Sequence, residues 1–183
     1  MKERCSWCGT DEIYVKYHDE EWGTPVHDDR LHYEFILLEC MQAGLSWKTI
    51  LHKREAFREA FDNFDVHKIS NYSKSKIEEL MQNKGIIRNR KKIEAAVSNA
   101  KCFLQIQDKF GSFDNFIWSF TDNKVVCNDI ETVKDIPVSS ALSDTISMEL
   151  KKYGFKFVGS VTIYAHIQAI GIVNDHMNCC FKK

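Results

Sequence analysis

Proline is nearly missing from this chain: Pro25 and Pro137 are the only two in 183 residues, and there are just eight glycines. Proline costs a helix a donor and a clash, so long proline-free stretches leave the backbone open to helix formation. Apolar residues recur at helical spacing through most of those stretches, and the expected fold class is all-α. Net charge is also small, −1 with a pI of about 6.6, which excludes binding of a polyanion through bulk charge alone. No run approaches the ~18 apolar residues of a membrane span. The opening MKERCSWCGTDE lacks the apolar centre of a secretory leader. These absences predict a soluble, cytoplasmic protein with no membrane partner, and a monomer is expected. Without repeats, low-complexity segments or an obvious linker, residues 1–183 read as a single unit, at most with two helical lobes.

Charge is uneven where the total hides it. Residues 1–39 hold ten acids against four bases, a net −6, while Lys84, Arg88, Arg90, Lys91 and Lys92 cluster together, as do Lys151, Lys152 and Lys156. Such clusters permit local phosphate binding, and they equally fit solvated helix faces.

The most telling stretch is LHYEFILLECMQAGLSWKTIL, residues 31–51. From Phe35 to Met41 it is apolar on every side except at Glu39. A helix hydrophobic all round is buried, and a carboxylate is rarely buried without a partner or a task. Gly44 then ends the helix, Ser46 is placed to cap the next and Trp47 opens it. An acid inside a core helix, followed by a tryptophan at a helix start, furnishes a pocket for a flat ring. The plainer reading is a buried acid satisfied by tyrosine hydroxyls.

Elsewhere the pattern predicts a short helix over 11–22, with Tyr14, Tyr17 and His18 near one face. It predicts an amphipathic helix with Trp47, Ile50, Leu51, Phe57 and Phe61 inward. Ser75 and Glu78 have capping-box spacing for a helix before Gly85. A longer helix spans about Asn89–Gln107, and Gly111 follows it. Phe113, Phe116, Ile117 and Phe120 form a further core stripe, and Trp7 and Trp118 read as packing. Residues 121–138 read mainly as loop, with Lys124–Cys127 allowed as extended. Ser139 or Ser140 caps a helix that ends at Tyr153. GFKFVG, Gly154–Gly159, then leads into the apolar SVTIYAHIQAIG. Two helices joined through a short turn with glycine at each end, about 141–171, make a helix-hairpin-helix pattern. Its glycines and the free N–H groups of the second helix suit a DNA phosphate, and the same turn also serves plain packing.

There are seven cysteines. Cys40 and Cys102 fall in apolar helical patterns and read as core. Four others gather with histidines near the ends: Cys5, Cys8 and His18, then His176, Cys179 and Cys180. Four thiolate and imidazole ligands suit tetrahedral zinc, and a site drawn from both terminal segments would staple them together. Spacing does not choose between Cys5 and Cys8, or between Cys179 and Cys180. A redox CxxC pair lacks the surrounding strand–helix pattern.

CSW at Cys5, YVKYHDEEWG from Tyr14, LECMQAGLSWKTIL from Leu38, GIIRNRKKI from Gly85, WSF at Trp118, KKYGFKFVG from Lys151 and GIVNDH from Gly171 occur in this order. Together they resemble the DNA-3-methyladenine glycosylase I family, from near residue 5 to residue 180. The resemblance implies an all-helical helix-hairpin-helix glycosylase with a structural zinc, excising N3-methyladenine from alkylated double-stranded DNA by base flipping and without lyase activity. By position it implies zinc ligands Cys5, His18, His176 and Cys180. Cys8 is a departure from the family pattern. It puts the pocket acid on Glu39 and the pocket aromatics on Tyr14, Tyr17, Trp22 and Trp47. It puts DNA contacts on Gly44 and Leu45, and the hairpin supplies Gly154, Lys156 and Gly159. Asp175, near the position of a superfamily aspartate, ranks below Glu39. Two other classes fit parts of the pattern: a non-catalytic zinc-stapled DNA-binding module and a zinc hydrolase.

Overall fold

A computed structural model describes residues 2–183. The helices are α1 Glu12–Glu20, α2 Asp29–Gln42, α3 Trp47–His52, α4 Arg54–Ala60, α5 Val66–Ser70, α6 Lys74–Gln82, α7 Arg90–Phe110, α8 Phe113–Trp118, α9 Ala141–Lys152 and α10 Ser160–Ala169. The chain is mostly helical but not wholly so. Val126–Cys127 (β1) and Val173–Asn174 (β2) pair in parallel, Val126 opposite Val173, the one sheet among the described residues.

Most boundaries follow from side-chain caps, because the first N–H groups of a helix need acceptors. Asp11, Asp28, Ser46, Asn89 and Ser140 each accept from the helix they precede. Gly111, at φ +83°, stops α7 in the left-handed conformation. Two expectations fail. Ser73, not Ser75, caps α6, taking the Lys76 N–H at 3.2 Å, while Ser75 bonds Ser73 and Glu78 pairs with Arg90. The expected continuous helix after Ser46 breaks at Lys53, whose ammonium is drawn to the Lys84 and Gly85 carbonyls at 3.4 and 3.1 Å.

The all-round apolar helix is central, as its sequence demands: α2 packs against α3, α7, α8 and α10. It is anchored along its length. At its start Asp29 accepts the Phe113 and Asp114 N–H groups, both at 2.8 Å. In its middle the Tyr33 hydroxyl donates to the Ala96 carbonyl at 2.7 Å. At its end the buried Lys92 donates to the Met41 and Ala43 carbonyls at 3.0 and 2.6 Å, satisfying acceptors the helix leaves orphaned. The residue after this end is Gly44, at φ +83°. Leu45 beyond it is 42% exposed, an apolar side chain held out into solvent.

α9 and α10 pack side by side. The turn between them is fastened from outside, with Asn99 of α7 donating to the Lys156 carbonyl at 3.0 Å and accepting its N–H at 2.8 Å. Ser147 donates to the Val158 carbonyl at 2.6 Å. Gly154 takes φ +95° and Gly159, which precedes α10, offers no side-chain cap.

Candidate active site and metal cluster

Three carboxylates are completely or almost completely buried: Glu34, Glu39 and Asp175. Burying a charge is costly unless donors surround it. Glu34 accepts from Arg54 at 2.6 Å, Arg30 at 2.9 Å and Arg58 at 3.2 Å. Asp175 accepts from Gln168 at 2.6 Å, Tyr164 at 2.7 Å and Asn128 at 2.7 Å. Glu39 has no such set, and its buried Oε2 has no partner at all. Burial alone pushes its carboxyl up to about 8. The tyrosine-satisfied reading of Glu39 therefore fails, and Asp175 is a structural acceptor. An unsatisfied buried carboxyl on a rigid helix, facing a cavity, is the signature of a group kept for a ligand.

That cavity holds about 310 Å³. Glu39, Tyr14, Tyr17, Trp22 and Trp47 all line it, so the structure brings together every pocket residue the sequence nominates. Tyr17 and Trp47 meet with ring centroids 5.6 Å apart and planes tilted by 58°. Burial raises both tyrosine phenols, Tyr17 most, and the Glu39 charge acts in the same direction on each. The site is thus a half-closed aromatic slot with one acid, large enough for a purine and selective through few polar groups.

Several lining residues were not legible. Trp7, read as packing, lines the slot and meets Trp22 edge-on at 4.8 Å. Gln42 sits inside the conspicuous QAGLSW run, one helical turn beyond Glu39, which is the signal that could have flagged it. Gln168 also lines the slot while its amide donates to Asp175. The far wall is Val133, Ile136, Pro137 and Val138, from the segment read as loop. That wall is suspended from the C-terminal segment: Asn178 donates to Asp129 at 2.6 Å and Glu131 at 2.7 Å, and its N–H reaches the Ile130 carbonyl at 2.8 Å.

Behind the aromatic wall lies a second cluster. Ligand atoms of Cys5, His18 and Cys180 all fall within 4.8 Å of one another, and all three residues are buried. The His18 Nδ1 pairs with Asp19 at 2.8 Å, which turns Nε2 towards the Cys180 sulfur at 3.4 Å. Asp19 is itself gripped by Arg4. A carboxylate behind a histidine is the usual support for a metal ligand. His176 stands outside the close triad, with its ring 5.1 Å from that of His18. Its Nδ1 pairs with Asn174 at 2.9 Å, and its buried Nε2 has no partner. Cys8 turns away, donating to the Cys5 carbonyl at 3.2 Å, and Cys179 is exposed. Of the cysteines that spacing left open, Cys5 and Cys180 are the two that lie together with His18. Burial pushes the Cys5 thiol up to about 12, a cost that a bound cation would reverse. His176 also touches Trp22 edge-on at 4.6 Å, so cluster and slot share a wall.

The slot can take a flat ring. The chain matches the methyladenine glycosylase family over residues 7–183. It belongs to that family. The DNA-3-methyladenine glycosylase of Haemophilus influenzae is 46% identical over 180 residues, covering 98% of this chain and 97% of that one. DNA-3-methyladenine glycosylase 1 of Escherichia coli is 45% identical, covering 97% and 96%. The solved 3-methyladenine DNA glycosylase I of Staphylococcus aureus, a structure concerned with 3-methyladenine recognition, is 37% identical and superposes with a TM-score of 0.95 over 98% of this chain and 96% of that one. As a methyladenine glycosylase, the chain has its slot, acid and cluster on a fold shared over nearly its full length. Among the described residues no helix is long and apolar enough to cross a membrane.

Proposed function

We propose that this protein repairs alkylated double-stranded DNA by excising N3-methyladenine, acting as a cytoplasmic monomer. The observation that carries the reading is the unpartnered Glu39 carboxyl in an aromatic slot. Five aromatic residues around a single acid favour an electron-poor, cationic ring over a neutral one. With no base against it, Glu39 keeps its proton up to about pH 8. A cationic base supplies the opposite charge that burial denies it, so the acid ionises against that base and gains an ion pair in a low-dielectric site. A neutral purine meets only a neutral acid. Discrimination thus comes from charge, and the enzyme needs little acid catalysis, because a positively charged base is already a good leaving group.

The damaged nucleotide must leave the stack to reach the slot, at a cost of a few kcal/mol that is least for a weakly paired base. Trp47 stacks on the flipped ring, Tyr14, Tyr17 and Trp22 close the walls, and Gly44–Leu45 fill the space left in the duplex. The helix-hairpin-helix of α9 and α10 holds the backbone through Gly154, Lys156, Gly159 and the free N–H groups at the start of α10. Glu39, ionised, also steadies a positively charged sugar or orients water, as carboxylates do in glycoside hydrolysis. Among the described residues no lysine lines the slot to form a covalent intermediate, which supports a lyase-free reaction. Cys5, His18, Cys180 and, through its free Nε2, His176 would hold one zinc ion, whose contribution is to tie the two terminal segments together.

The test is chromatography of bases freed from methylated duplex DNA. Release of 3-methyladenine, lost in Glu39→Gln, is expected. No release, or 7-methylguanine as the main product, would sink the reading.

A further inference from the structure

The turn carrying Gly44 and Leu45 has two sides. Gln42 and Trp47, at its roots, line the aromatic slot, whereas Leu45, at its tip, lines a separate open groove of about 550 Å³. Met81, Ile86 and Ile87 give that groove an apolar floor, and Lys53, Lys84 and Arg88 give it a cationic edge. Among the described residues no carboxylate lines it. Lys84 and Arg88 are exposed, and among the described residues neither enters an ion pair, whereas neighbouring Arg90 is paired with Glu78. Lys53 is built into the wall by its bonds to the Lys84 and Gly85 carbonyls. Cations over an apolar floor match a chain of phosphates and deoxyriboses, and a side-chain pocket for a small molecule would be more enclosed.

α7 fixes where this groove stands. Lys92 in its first turn holds the root of the 43–45 turn, and Asn99, seven residues on, holds Lys156 of the hairpin. At 1.5 Å per residue those two anchors are about 10 Å apart. Arg88 lies beyond Lys92 on the opposite side from Asn99. From Arg88, just before α7 begins, through the Lys92 and Asn99 anchors on it, the order is groove, turn, hairpin, so Leu45 stands between two surfaces fit for phosphates. Across the duplex, a side chain inserted in place of a flipped nucleotide has that nucleotide's strand on one flank and the opposite strand on the other, and the hairpin takes the first.

We propose that the groove binds the backbone of the strand opposite the flipped nucleotide, with Lys84 and Arg88 on its phosphates and the floor of Met81, Ile86 and Ile87 against its sugars. This rests on the glycosylase reading above. Each phosphate contact adds about 0.9 to the slope of log K against log salt, so losing two should lower it by about 1.8. The experiment compares the full-length protein with Lys84→Ala/Arg88→Ala, on a duplex bearing a tetrahydrofuran abasic analogue and on its lesion strand alone. Both are titrated with salt and probed by phosphate ethylation interference on each strand. The expected result is a slope lowered by about 1.8 on duplex only, with interference lost on the opposite strand, and both restored by Lys84→Arg/Arg88→Lys. An unchanged duplex slope, or an equal loss on the single strand, overturns the groove alone, provided the parent frees methylated base. A parent that frees none sinks the glycosylase reading and the groove with it.

Discussion

Replacing Glu39 with glutamine should strengthen the fold while abolishing recognition of the cationic base. Glu39 is held at about 8 in the folded protein against an ordinary 4.5, and desolvation is the whole cause. Below about pH 4.5 both folded and unfolded chains carry the proton, and the acid costs nothing extra. As pH rises from there, the unfolded chain releases a proton that the folded chain keeps, so stability is lost until the folded carboxyl itself ionises near pH 8. Each unit is worth about 1.4 kcal/mol, giving about 3 kcal/mol at pH 7 and a ceiling near 5 kcal/mol above pH 8. Glutamine has nearly the same shape and stays neutral throughout, so the variant escapes this loss. The two proteins should be equally stable at pH 4.5 and diverge by about 1.4 kcal/mol per unit to a plateau at pH 8. For a chain of this size that is roughly 6–12 °C in Tm at pH 7. Urea denaturation across pH 4.5–9, at matched m-values, reads the difference directly. A pH-independent difference, or a variant less stable than the parent at pH 8, would refute the claim that an unpaired, desolvated carboxyl is stored in the slot.

Trp47→Ala should weaken binding of the free methylated base by about 1–3 kcal/mol in calorimetry, the usual worth of one stacked ring; an unchanged affinity would remove Trp47 from the stack. Cys180→Ser should abolish stoichiometric zinc in elemental analysis and lower the unfolding midpoint, and retention of both would mean that the ligand set is wrong. Lys92→Met leaves the Met41 and Ala43 carbonyls without donors, at about 2–4 kcal/mol, with DNA affinity falling as the 43–45 turn loosens; a loss under 1 kcal/mol in chemical denaturation would show that water replaces the ammonium. Gly171→Ala should fail to accumulate as folded protein by circular dichroism. Its φ is +73° and an added Cβ would lie 2.3 Å from the Thr24 carbonyl carbon. A soluble, native-like Gly171→Ala variant would show that the 24–25 segment yields.

What sequence can reveal here is what local chemistry writes into it. Glu39 stood out because one charged letter interrupts an apolar run, and Gly111 and the Ser139–Ser140 pair because helix ends are set by local chemistry. Glu34 shows the limit. It is as buried as Glu39 and only five residues away, and nothing nearby in sequence says that Arg54 and Arg58 will fold back to satisfy it. The choice of Cys5 over Cys8 was beyond spacing for the same reason, being decided by how the 176–180 segment lands. The Val133–Val138 wall had no signal, because an apolar loop reads like any other until the cavity beside it is seen. Lys53 broke an otherwise well-patterned amphipathic helix through partners some thirty residues away.

The bonds of Asn178 bear on the order in which the enzyme comes into being. Helices that carry Glu39 and the aromatic side chains are early in the chain, although α2 completes its packing only once α10 has been made. The wall facing them hangs from Asn178, two residues before Cys180, which closes the sulfur–imidazole cluster. A nascent chain therefore holds the acid and the rings long before it holds a slot. Base-binding competence should appear late and abruptly on the ribosome, gated by the emergence of residues 176–180 rather than by the folding of the helices that do the binding.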